Sequence, residues 1–200
     1  MKPIRSRVTL ARARAAIAAA AALAVVAAGG TAIAQRTPAK TATTSGVYTG
    51  VLNARSKVRE WSAYERRVTL ALTREGGRLR VHETTHDALG PGKDYTLSTT
   101  GRVVVERVNS RGDTELKVEL GGPDFVDQVT NAARAVERSK GLAPMVSIVD
   151  ATSETTYTFR RNGDVRVESR ARSRVNLGLP GLAGMIVRGT STGQLVKTGP

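Results

Sequence analysis

Residues Glu154 to Val175 read ETTYTFRRNGDVRVESRARSRV, and their alternation decides the fold class. Side chains along a β-strand point alternately to opposite faces, so a period of two marks strands. Tyr157 and Phe159 alternate with polar residues on one side of Asn162-Gly163, and Val165, Val167, Ala171, Ser173 and Val175 do so on the other. A two-residue Asn-Gly loop would set Phe159 against Arg166. A three-residue loop, Arg161-Asn162-Gly163, pairs Phe159 with Val165, Tyr157 with Val167 and Glu154 with Arg170. The second register keeps apolar side chains together and opposes unlike charges, so it is the expected one, with Gly163 in the left-handed position of a bulged turn.

The same period runs outward in both directions. Val47–Ala54, Tyr64–Arg74, Arg78–Thr85, Tyr95–Thr100, Arg102–Asn109, Thr114–Leu120 and Met145–Ala151 read as further strands. Tyr64–Arg74 and Arg78–Thr85 form a hairpin across Glu75-Gly76, which would pair Leu72 with Leu79 and Leu70 with Val81. Val103-Val104-Val105 is apolar on both faces and predicts a strand covered on both sides. Gly178 to Pro200 is Gly-broken and predicts a short helix and a final edge strand.

One segment changes period. After Gly121-Gly122, Pro123 suits a first helical turn, and Phe125, Val126, Val129, Ala132, Ala133 and Val136 fall on one face at helical spacing. Asp124 and Asp127 favour its start, Arg134 and Arg138 its end, and Gly141 its cap. The expected fold is α+β, mostly antiparallel β: a curved sheet or partial barrel of about 8-9 strands, full closure being the further outcome of its curl, with one packed helix over residues 123-140.

The chain start belongs to no fold. Lys2, Arg5, Arg7, Arg12 and Arg14 precede an uncharged Ala-rich run from Ala15 to Ala34, closed by Ala32-Ile33-Ala34. That is the pattern of an export signal over residues 1-34, cleaved before Gln35 and leaving no transmembrane span, the alternative being an uncleaved membrane anchor. Residues 35-46 read as a flexible leader and 47-200 as one β-rich domain. The 200 residues carry 31 basic and 17 acidic side chains and no cysteine, which excludes disulfides. After Ala34 the net charge is still about +9, which favours anionic partners. Few aromatics and an export signal argue against nucleic acid as that partner.

His82-Glu83-Thr84-Thr85-His86 matches H-E-x-x-H and resembles the zincin metallopeptidase motif. The resemblance implies a helix on which His82 and His86 hold zinc and Glu83 activates the bound water. It covers five residues. Arg80 and Asp87 are charged where such helices are usually uncharged, and there is no third histidine. The surrounding residues read as a strand, which would put the two histidines about 13 Å apart, too far for one ion. Gly189-Thr190-Ser191-Thr192-Gly193 matches G-x-S-x-G, but neither acid nor histidine follows to complete a hydrolase triad.

Arg166, Arg170, Arg172 and Arg174 line one face of their strand, relieved only by Glu168, and are the candidate anion-binding residues. The expected function is that of an exported, non-enzymatic cell-envelope binding protein for an apolar or amphipathic, lipid-like ligand, with no cofactor. Two alternatives follow from the motifs: a secreted zinc metallopeptidase using Glu83, His82 and His86, and an adhesion module holding anionic envelope polymer through the Arg face.

Overall fold

A computed structural model describes residues 44–57, 61–88, 90–139, 141, 143, 145–176 and 184–200. The expected signal segment and most of the expected leader lie outside these residues, as does residues 177–183 of the final stretch. Eight strands alternate up and down: β1 (Gly46–Lys57), β2 (Trp61–Glu75), β3 (Arg78–His86), β4 (Tyr95–Val108), β5 (Thr114–Leu120), β6 (Ser147–Phe159), β7 (Val165–Asn176) and β8 (Met185–Gly199). Every neighbour is antiparallel, and β8 pairs with β1, so the sheet is a closed barrel rather than a partial one. Closure removes both exposed sheet edges.

The β6–β7 hairpin has the expected three-residue loop. Tyr157 faces Val167, Phe159 faces Val165, Glu154 faces Arg170, and Gly163 takes φ 91°. The β2–β3 hairpin is shifted. Its turn is Gly76-Gly77, which pairs Leu72 with Val81 and Leu70 with Glu83. Gly76 supplies the positive φ of 58°. A slip of two residues leaves every side chain on its face, so alternation alone does not distinguish the two registers.

Glycine also explains the strand count. Tyr95–Thr100 and Arg102–Asn109 are one strand running through Gly101. A Cβ there would strike the Val118 side chain and come within 3.0 Å of Leu120 Cδ2, so Gly101 admits β5 rather than ending β4. Met145–Ala151 and the strand that carries Tyr157 and Phe159 merge into β6, here through Thr152 and Ser153. The last stretch is not an edge: β8 runs 15 residues and seals the barrel against β1. At the seam, a Cβ on Gly193 would collide with Val51 O and lie 2.7 Å from Leu52 Cδ2. The Val103–Val105 run is a bulge in the β4–β5 ladder, half-buried rather than covered on both sides.

The helix, α1 (Pro123–Ser139), buries the expected face of Phe125, Val129, Ala132, Ala133 and Val136. It stands where the barrel wall is thin. β5 ends at Leu120, so residues 95–101 of β4 and 147–152 of β6 have no partner across β5, and α1 packs against both strands. Glu137, 1 % exposed, accepts the backbone N–H groups of Met145 and Val146 and ties the helix end to the start of β6. At the other end of the barrel, Arg74 holds Glu106 through two bonds of 2.7 Å. That contact pulls the Glu106 carboxyl below its usual range.

Candidate functional site

Inward-facing residues divide the barrel interior into three levels. Tyr48, Leu52, Leu70, Leu72, Leu79, Leu116, Phe159, Val165 and Leu195 belong to a packed apolar floor. At the opposite end Ile148, Ala151, Val175 and Val187 pack with the α1 face. Between these clusters the inward positions turn polar or small. An eight-stranded barrel is about wide enough for its own side chains or for one small ligand. Small side chains at mid-height therefore decide between a plug and a chamber.

One wall of this middle level is large and polar. Val68, Leu70 and Leu72 point inward, so Arg66, at the same parity on β2, does too. Val81 does the same for Glu83 on β3. Arg66 Nη1 donates to Glu83 Oε1 at 2.6 Å, both side chains being 10 % exposed. Thr85 Oγ1 donates to the same carboxylate oxygen at 3.1 Å. Tyr64 and Tyr95 flank the pair. Burial pushes both phenols up to about 12, with the Glu83 carboxylate adding to the rise and Arg66 opposing it at Tyr64. Tyr157, on β6 across the barrel, is raised by burial and again by Glu83, so the field of the pair reaches the far wall.

The facing wall is small. β6, β7, β8 and β1 present Ser153 and Thr155, Ser169 and Ser173, Ser191, and Ala54 and Ser56, each 5 % exposed or less. Thr155 Oγ1 donates to Ser169 Oγ at 3.1 Å. Ser153 Oγ, Ser191 Oγ and Arg66 Nε are buried with no hydrogen-bond partner in the protein. Buried polar atoms are nearly always satisfied, so these three inward-facing orphans are exceptions within the barrel interior. The arrangement presents a fixed cation with a free N–H, two hydroxyls and a carboxylate above an apolar floor. Such a site can hold and orient a compact molecule with a polar head.

The residues expected from the sequence are placed elsewhere or apart. β3 is a strand through His86, so the helix implied by H-E-x-x-H does not form. His82 and His86 lie on the outer face and Glu83 on the inner one, which separates the proposed base from both proposed ligands. His82 Nδ1 shares a hydrogen bond with Ser98 Oγ at 2.6 Å. His86 engages Asp94 Oδ2 through Nδ1 at 2.9 Å and Thr69 Oγ1 through Nε2 at 2.8 Å. Its bond to Asp94, with the Asp87 backbone N–H, holds the Asp94 carboxyl below its ordinary value. Among the described residues no three potential ligands converge on a metal position. Arg166, Arg170, Arg172 and Arg174 are exposed on the outside of β7, away from the barrel interior, and Arg166 pairs with Glu168 at 2.7 Å.

Arg66 was not singled out by its sequence context, and Glu83 stood out for a different reason. Opposite charges at inward parity on adjacent strands, with Ser and Ala at inward parity on four others, were the available signal. A separate cleft of about 700 Å³ opens beside the start of α1, where Arg78, Arg80 and Arg102 stand with Glu75, Glu119 and Asp124. Its charges balance, and it selects for neither sign.

Neither the protein-family models nor the curated proteins compared with this sequence give a match.

Proposed function

We propose that this chain is an exported, non-enzymatic binding protein of the cell envelope whose barrel receives a compact amphipathic ligand at mid-height. The ligand's polar or anionic group meets Arg66, Ser153 and Ser191, and its apolar part lies against Leu70, Val81 and the other side chains of the floor. The observation that carries this reading is the set of buried polar atoms without a partner, Arg66 Nε in the Arg66–Glu83 pair and Ser153 Oγ and Ser191 Oγ on the facing wall. Export is supported by the basic, Ala-rich start and its A-x-A end. The polar group is assigned to Arg66 rather than to the outer arginines of β7, because an eight-stranded wall separates those from the interior.

The test is titration of the chain from Gln35 onward, which keeps all eight strands and α1, with anilinonaphthalene sulfonate as a compact amphipathic anion. Saturable one-to-one binding that falls at least tenfold in Arg66→Met, with Arg166→Gln unchanged, is the expected result. Binding indifferent to Arg66, or no saturable binding, contradicts the reading.

A further inference from the structure

Charge is distributed unevenly around the barrel wall. β2 to β6 carry eight basic and eight acidic residues. β7 carries four arginines and one acid, and β8 and β1 each carry two basic residues and no acid. One side of the molecule is balanced and the other strongly cationic.

The register concentrates this charge. Arg172 stands directly opposite Arg188, and Arg188 directly opposite Lys57, so three cations form one row across β7, β8 and β1. All three strands point these residues outward, and Cα spacing across such a row is about 5 Å. Arg170 and Arg174 extend the row along β7 and Arg55 along β1. Among the described residues, Arg172 and Arg188 have no ion pair. Glu154, opposite Arg170, is instead bound to Lys117. Like charges opposed across strands are unfavourable, and an external anion relieves that repulsion.

The row is rimmed by apolar side chains. Ile186, opposite Arg174, is 37 % exposed, and Val149, in the β6 bulge beside Asp150, is 50 % exposed. A soluble polyanion has no use for them. A bilayer offers negative headgroups for the arginines and an acyl boundary for Ile186 and Val149.

We infer that the upper β7–β8–β1 face is a docking surface for an anionic lipid bilayer. The inference rests on the ligand reading only for its purpose, which is to bring the barrel to the surface from which an amphiphile is taken or to which it is given.

The experiment is co-sedimentation of the chain from Gln35 onward with phosphatidylcholine vesicles and with phosphatidylcholine–phosphatidylglycerol vesicles, at low and raised salt. Arg172→Glu/Arg188→Glu is compared with Arg78→Glu/Arg111→Glu, which makes the same change in net charge away from the face. Thermal melts confirm that each variant is folded. Wild type and the second variant should bind anionic vesicles and release them as salt screens the contact, while the first variant loses at least tenfold. Equal loss in both variants, equal binding to neutral vesicles, or capture by polyphosphate without vesicle binding overturns the inference. Anilinonaphthalene sulfonate titration of the same samples separates the two claims. Vesicle binding without probe binding refutes the ligand reading alone, and the reverse refutes the docking surface alone.

Discussion

Arg66 Nη1 and Glu83 Oε1 lie 2.6 Å apart inside the barrel wall, one turn of alternation above the apolar floor. A buried pair of this kind is held by mutual attraction against a large loss of hydration, and removing one member leaves the other uncompensated. Glu83→Leu should therefore destabilise the barrel by about 3 kcal/mol. Arg66→Met/Glu83→Leu should recover most of that loss, because two apolar side chains of similar size remove both desolvation costs. Denaturant melts of the two singles and the double measure the coupling. Additive losses would mean that the two groups do not depend on each other.

The four tyrosines are all affected by burial. Tyr48, Tyr64, Tyr95 and Tyr157 are all shifted upward, chiefly by burial, with Tyr64 and Tyr95 at about 12. A group whose folded pKa is raised contributes stability that is complete below its unfolded value and lost as pH climbs through the folded one. Stability should hold to about pH 10 and then fall progressively toward pH 12. Tyrosinate absorbance followed alongside circular dichroism should appear together with unfolding. Ionisation at ordinary pH in a folded barrel would contradict the burial.

The seam between β1 and β8 depends on a missing side chain. A Cβ on Gly193 meets Val51 O and Leu52, so Gly193→Ala must push the two strands apart. The expected cost is about 2 kcal/mol, as for other overpacked cores, or roughly a 5 °C fall in Tm. Gly121→Ala is the control, since the nearest atoms to a Cβ there are 4.0 Å away. Equal tolerance at both positions would place the seam elsewhere.

His82 and His86 make a simple metal prediction. With both on the outside of a strand and Glu83 on the inside, purified protein should carry far less than one zinc per chain, and His82→Ala should not change the amount. Near-stoichiometric zinc that disappears in the variant would mean that β3 rearranges into the helix the motif requires.

Much of this architecture was legible in the sequence, and the misses share a cause. The β6–β7 register followed from charge and apolar matching, because only one loop length satisfied both. The face of α1 followed from its spacing. The β2–β3 register did not, because slipping by two preserves alternation and only turn chemistry distinguishes the alternatives. Gly101 and Gly193 read as breaks because the close strand contacts that require them are long-range. Closure was one of the two outcomes expected of so long a sheet, and the pairing that decides it, β8 with β1, spans the whole chain. The polar middle of the interior was hidden for the same reason. Arg66, Glu83, Ser153 and Ser191 come from four strands, and each alone resembles an ordinary surface residue. Only the closed ring turns their positions toward one interior.

The most direct test is native mass spectrometry of the chain purified after export, beside Arg66→Met/Glu83→Leu. A bound small molecule on the wild-type chain, released on denaturation and lost from the double variant, is the result this account predicts. A wild-type chain that flies at its polypeptide mass, and stays there after incubation with an envelope lipid extract, would contradict it.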